Sequence, residues 1–534
     1  MSNEGRLQTC KAWKAGFNPA QHRIIDVRTS RYAGTYARWQ RDPSMVRCVR
    51  GPRALNFPSF RGASESFKMS ITLTAREARP ASGLILLTMS LGVLIAQIDT
   101  SVVNLAVKPI GTDLKASVTE LQWIVDVYNF VYASLLVTAG TLADLYGRRR
   151  IFALGIALFT LGTIVCGLAP EVPTLVAGRA VAGLGAALEV PASLAILTIT
   201  YPDIKERTRA LGIWASCYGI ALVIGPTAGG AIVDASGWRS IFFLIIPFCL
   251  VTLVLVMTVV PESSNPQGRR LDLPGQALAI ASLGSLSLAA IEGPRLGWAS
   301  IGNVAAFSLS VLAAALFLRR QAGATDAVVP LPMLRHRVFA ACLAVATAMN
   351  FGAYAMLFLT PLYFQTTRGA SALDAAVVLL PMSLSYMVTS QLSGRIANKL
   401  GPRVPMTAGM GLMGLGLLVL ALIPLNDSLV LIESGLLAIG CGLGLNVGPM
   451  NAVAVANVPA ARSGTASGLV NTARMVGATL GVAVLGAVFA THVAQGVGTQ
   501  GLAPAYLVGG IGELIGAAVA FAFIRCDSLR RAAQ

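Results

Sequence analysis

The chain has 534 residues, of which 55% are hydrophobic and only 12% charged, and its mean hydropathy is +0.69. A soluble protein of this size needs more charge to cover its surface, so a soluble globular protein is excluded. The net charge of +17 does not imply nucleic-acid binding: much of the excess lies before Met69 and in short loops between apolar runs, where membrane proteins keep Lys and Arg.

Residues 1–68 are basic, rich in aromatics and poor in acids. They contain no apolar core of the kind a secretory signal peptide needs. The segment reads as a disordered basic N-terminal extension, or as sequence upstream of a start at Met69. Beyond Met69 about fourteen apolar runs follow, each near the roughly 20 residues that cross a bilayer as a helix. Their centres fall near residues 94, 130, 160, 184, 222, 250, 282, 311, 348, 383, 413, 440, 475 and 514. Helices satisfy their own backbone hydrogen bonds in lipid, so an all-α bundle is expected. Alternate loops are basic: 147–150, 203–209, 267–270, 319–337, 399–403, Arg462 and the tail 525–531. The positive-inside rule then places both termini in the cytoplasm, with an even number of spans.

The loop after the second run, GTLADLYGRR from Gly140, has a counterpart after the tenth, GRIANKLGPR from Gly394. Gly, Ala, Asp or Asn, Gly and Arg recur at the same spacing, which indicates duplicated halves. Gly140 and Gly147 are expected to permit a tight turn. Asp144 can pair with arginines such as Arg148 or cap a neighbouring helix, forming a conformational latch.

Charges inside the apolar runs are costly, and function is their default explanation. Asp99, Asp126 and Arg179 each lie about seven residues from one end of a span, roughly 10 Å deep at 1.5 Å per residue. At one depth they could form a switchable ion-pair cluster that takes up and releases protons. A static salt bridge fixing helix packing is the alternative. Glu189 lies about ten residues beyond Arg179, roughly 15 Å deeper. There it is expected to border a cavity as a second proton site, a contact for a cationic substrate, or an incidental acid. Glu292, Glu433 and Glu513 read as acids near span ends that snorkel to the interface. Arg474 either neutralises an anionic substrate or packs structurally. Gly225 and Gly229 beside Pro226, and Gly477 and Gly481, form small-xxx-small faces that allow close helix approach.

The eight cysteines form no CxxC pair, and the three histidines lie far apart, so no metal site or disulfide framework is expected. No Lys follows a Gly, so there is no P-loop to power a primary pump. No nucleophile, His or metal constellation marks an enzyme.

GTLADLYGRRR resembles the signature loop of the major facilitator superfamily. IDTSVVNLA from Ile98 and QWIVDVY from Gln122 resemble the first two helix motifs of its fourteen-helix drug:proton antiporter branch. The stretch 175–191, with Arg179, resembles the fourth-helix motif. IGPTAGG from Ile224, with Gly225, Pro226, Gly229 and Gly230, resembles the fifth-helix antiporter motif. SGTASGLVNTAR, ending at Arg474, resembles the thirteenth. The resemblance spans about residues 80–525. Asn398 departs from it by replacing an acid, as do Ile245 and Ala221 at positions where the branch often has Asn and Gly.

This resemblance implies a major facilitator fold of about fourteen transmembrane helices. Two pseudo-symmetric six-helix bundles, 80–262 and 326–525, would flank two inserted helices with linker at 263–325, and 526–534 would be a cytoplasmic tail. It implies a secondary active transporter in the cell inner membrane that exports small lipophilic or cationic compounds in exchange for protons. Proton-coupled or facilitated transport of an endogenous metabolite is the alternative. It further implies proton coupling through Asp99 and Arg179, no cofactor beyond the proton gradient, and a monomer whose partners are substrate, protons and the lipid bilayer. A periplasmic adaptor and outer-membrane channel are left open as further partners.

Overall fold

The computed structural model describes residues 79–265, 271–323, 327, 329, 331–423, 428–458, 463–494 and 501–525. The N-terminal extension 1–68, the basic stretch 267–270, Arg462 and the tail 526–534 lie outside the described residues. No strand occurs among those described, and fourteen helices are long and apolar enough to cross a bilayer.

In chain order these are α1 (Arg79–Asp113), α2 (Val118–Tyr146), α3 (Arg148–Leu168), α4 (Val172–Thr200), α5 (Ile204–Ser236) and α6 (Arg239–Val259). Then come α7 (Leu273–Leu296) and α8 (Ile301–Gly323). The second set is α9 (Arg337–Thr367), α10 (Ala372–Leu400, pausing at Leu379), α11 (Arg403–Leu420), α12 (Leu429–Ala456), α13 (Ser463–Ala494) and α14 (Leu502–Phe523). Every expected span centre falls inside one of them.

The two sets of six pack alike. In the first, α1 packs on α5 and α6, α4 on α2 and α3, and α3 on α6. In the second, α9 packs on α13 and α14, α12 on α10 and α11, and α11 on α14. The halves meet through α2 against α13, α5 against α10 and α1 against α9, as a two-fold relation requires. Local signals repeat too. Ser117 and Glu120 form a capping box that starts α2, and Ser371 and Asp374 form one that starts α10. Both helices stop at a glycine with positive φ, Gly147 at 107° and Gly401 at 82°.

Helix α7 lies against α2 and α13, covering one seam between the halves. The face of α2 turned to it is polar at both ends. Trp123 donates its indole N–H to Glu292 at 2.9 Å, and Gln276 bonds Thr138 and the Ser134 carbonyl. Asp272 caps α7 through Gly275 and receives Gln321 at 2.8 Å and Arg320 at 2.9 Å from α8. Burial alone would raise its pKa, but these bonds outweigh it and hold the carboxyl below its ordinary range.

Glu292 is therefore paired, since Arg295 also reaches it at 2.7 Å, and does not simply snorkel. Glu433 sits half-buried in the first turns of α12, as an acid near a span end should.

Candidate functional site

Asp99 on α1 and Arg179 on α4 form a salt bridge of 2.5 Å, buried in the first half. The guanidinium also donates from Nε to the Ile124 carbonyl at 3.2 Å and lies 4.4 Å from the Tyr128 ring centroid. Glycine brings it there: a Cβ on Gly183 of α4 would stand 2.7 Å from the Tyr128 carbonyl oxygen, so α4 rides directly on the α2 backbone. Asp99 Oδ1 has no hydrogen-bond partner among the described residues. A buried pair of this kind tolerates the loss of one member poorly, because the other is left charged without compensation.

Asp126 does not join this pair, contrary to the expected three-residue cluster. It faces Ser287 of α7 and Thr479 of α13. Neither of its oxygens, nor either of those hydroxyls, makes a hydrogen bond of ordinary geometry. Equal depth fixes position along the membrane normal but not direction around each helix, and Asp126 points to the seam between the halves.

Glu189 does not border the cavity either. It is fully buried within the first half, and both carboxyl oxygens lack partners among the described residues. A Cβ on Gly155 of α3 would lie 3.2 Å from the Glu189 Cβ, so α3 closes over this face of α4 and makes it a helix interface.

Glu513 is the acid that the sequence reading misplaced. It lies mid-way along α14, fully buried and with no ion pair among the described residues, rather than snorkelling from a span end. Its carboxyl fills the notch at Gly352 of α9, where a Cβ would come within 2.6 Å of Oε1. The span centre near 514 already carried this signal.

Between the halves, at mid-helix, lies a cavity lined by residues of both. Gln97, Thr100 and Ser101 line it from α1, so Asp99 is turned to the core on a helix whose neighbouring residues face the cavity. Three tyrosines, Tyr218 of α5, Tyr354 of α9 and Tyr386 of α10, form its aromatic wall. Arg474 of α13 also lines it, with its guanidinium carbon 5.9 Å from the Tyr218 ring centroid. No Asp or Glu is in the lining. The acid-lined cavity expected to suit lipophilic cations is thus not what the packing produces, since Asp126 and Glu189 both point elsewhere.

Hydrogen bonds between the halves cluster, among the described residues, at mid-helix and at the end remote from the 140–150 loop. Gln365 donates to the Leu105 carbonyl at 3.0 Å, and the Ala372 and Leu373 amides donate to Asp234 at 3.0 and 2.9 Å. Lys108 bonds the Gln365 carbonyl. Closer to the middle, Ser383 donates to the Leu222 carbonyl at 2.9 Å.

At the loop end, Arg148 pairs with Asp144 at 2.7 Å. Glu262, which the sequence reading did not single out, accepts from the Arg149 and Arg150 amides at 3.1 and 3.2 Å and so caps α3. Gly147 has φ of 107°, and a Cβ there would stand 2.7 Å from the Glu262 carboxyl, so only glycine fits. Gly140 plays no part in the turn. It lies inside α2, where a Cβ would make ordinary contact with Pro191 at 3.7 Å.

In the fifth helix, a Cβ on Gly225 would overlap Ser101, one on Gly229 would overlap Val102, and one on Gly230 would press on the Leu373 backbone. Gly477 and Gly481 seat α13 on the Thr347 and Phe351 carbonyls of α9 in the same way.

Residues 89–482 match the Major Facilitator Superfamily. The chain is 39% identical over 408 residues to multidrug resistance protein Stp of Mycobacterium tuberculosis, covering 76% of each protein. It is 33% identical over 454 residues to the methylenomycin A resistance protein of Streptomyces coelicolor, covering 84% of this chain and 94% of that one. Among solved structures it resembles a D-xylose–proton symporter, with a TM-score of 0.60 at 16% identity, covering 83% of this chain and 98% of the other. That likeness shows the fold alone.

Proposed function

The chain belongs to the major facilitator superfamily, a family of transporters and not enzymes, and we propose that it exports small molecules across the inner membrane in exchange for protons. The loop end of the bundle, with Gly140, Asp144, Gly147 and Arg148, faces the cytoplasm, in keeping with its basic loops. The bonds at the remote end close the outer side, so the cavity loads from within. Export is favoured by the names of the relatives and by the fifth-helix motif at Gly225, Pro226, Gly229 and Gly230. The sugar symporter shares only the fold and does not set the direction.

The observation that carries the proton coupling is the buried Asp99–Arg179 pair. Asp99 shares α1 with Gln97, Thr100 and Ser101 in the cavity wall, so a change at the pair moves the helix that substrate touches. Protonation of Asp99 cancels its attraction for Arg179, which keeps the Ile124 carbonyl and the Tyr128 ring as neighbours. The pair re-forms when the proton leaves on the other side. Asp126, buried against the Ser287 and Thr479 hydroxyls, and Glu189, buried with no ion pair among the described residues, are further carriers of protons.

The test is transport in proteoliposomes driven by an imposed pH difference. Asp99→Asn strands the buried Arg179 and is expected to lose stability, so export is compared per folded, membrane-inserted protein, where no energised export is expected. Export at the wild-type rate would remove Asp99 from the coupling.

A further inference from the structure

The cavity between the halves has an imbalance that its role in transport does not by itself explain. Its buried polar atoms without partners are N–H donors. Among the described residues, Arg474 Nε is buried and makes no hydrogen bond, and the Asn350 Nδ2 amide is in the same condition. Both residues line the cavity. Arg474 forms no salt bridge among the described residues, and no carboxylate shares the lining. Its neighbours are Tyr218, Tyr354 and Tyr386, all within its electrostatic reach. A cation in a low-dielectric site with unsatisfied donors is costly unless something supplies acceptors. The acids of the first half do not supply them, because Asp99 is committed to Arg179 and Glu189 faces α3. No carboxylate of the lining supplies the acceptor, so it comes from water in the empty cavity and from the ligand in the loaded one.

We propose that this cavity recognises compounds carrying a negative charge next to a planar ring, an aromatic carboxylate or phenolate, with Arg474 as the anion-binding residue. The guanidinium takes the anionic oxygens through its fork of N–H donors. Asn350 donates a further bond. The tyrosines present ring faces and edges to the aromatic frame, and their hydroxyls can donate to its oxygens. A lipophilic cation meets the opposite conditions, because it would place a second positive charge beside Arg474 with no carboxylate to offset either. The inference rests on reading the cavity as the transport site and specifies what that site accepts.

The experiment is equilibrium dialysis of the purified full-length protein in detergent, against detergent alone, with three matched probes: 2-naphthoate, 2-naphthalenemethanol and 2-naphthylmethylammonium. Wild type is expected to bind the carboxylate about tenfold more tightly than the alcohol, the worth of one charge-assisted hydrogen bond, and the ammonium compound most weakly. In Arg474→Gln the carboxylate should fall to the level of the alcohol, while Arg474→Lys should restore part of the preference. Retained binding of the alcohol by Arg474→Gln shows that the variant is folded. If it is not, the ranking in wild type decides alone. Failure of the carboxylate to bind wild type, an ammonium compound that binds as well as the carboxylate, or a preference that survives Arg474→Gln would each overturn the proposal. Binding is measured without a proton gradient, so a failure of proton-coupled export would show in the proteoliposome assay and leave this ranking untouched.

Discussion

Helices α1–α6 and α9–α14 repeat the same neighbours, but they handle buried charge differently. In the first half Asp99 and Arg179 neutralise each other at 2.5 Å, and the 140–150 loop joins Asp144 to Arg148 with Glu262 capping α3. In the second half, Glu513 and Arg474 are not paired with each other: the carboxyl fills the Gly352 notch and the guanidinium lines the cavity. Asn398 stands where the second loop would carry its acid. One topology thus supports two chemistries. A closed ion pair is suited to respond to a proton, whereas a lone cation in a cavity is suited to respond to a ligand.

The largest test of this contrast is Arg179→Gln. It leaves Asp99 buried without its partner and is expected to cost about 3–5 kcal/mol, read from thermal unfolding in detergent. The double variant Asp99→Asn with Arg179→Gln should recover much of that loss, because both charges go together. Strictly additive losses would mean that the pair carries no coupling energy.

A middle-sized effect tests what the halves share. Gly229→Val forces a side chain into Val102 of α1, and Gly481→Val forces one against the Phe351 carbonyl of α9. Each should destabilise by about 1–3 kcal/mol as overpacking does, Gly481→Val the more, because it meets backbone and not a side chain. If one half tolerates its substitution, the packing symmetry does not extend to energetics.

The smallest effect is expected at Glu513→Gln. The carboxyl has no ion pair to lose, and the amide keeps its shape in the notch. Stability should change by less than about 1 kcal/mol, with pH-driven export retained. A loss as large as that of Arg179→Gln would show that the second half also depends on a buried charge.

Much of the fold was legible because hydropathy accumulates along one chain. Each apolar run sums about 20 residues, so its existence survives local errors. The repeat after α2 and α10 was legible for the same local reason, whereas the matching capping boxes at Ser117 and Ser371 came from the structure. Gly225, Gly229, Gly477 and Gly481 were read as close-contact faces, and they are. Gly140 was read as part of a turn, but α2 continues through it to Tyr146 before Gly147 breaks the helix.

By itself the sequence determined the fourteen spans, the duplicated halves, the family and which charges must lie within the membrane. It also gave the position of Asp99, Asp126 and Arg179 along their helices, since rise per residue is constant, although it misplaced Glu513. Tertiary structure decided which of those charges meet. Direction around a helix axis matters only relative to a neighbour, and the neighbours of Asp126 are Ser287 and Thr479, far away in the chain. Gly155 turned Glu189 into an interface residue by letting α3 close on it, and Gly352 opened the notch that holds Glu513. With those acids packed away, Arg474 was left as the charge facing the cavity, so the sign of the site was fixed by helix packing and not by composition.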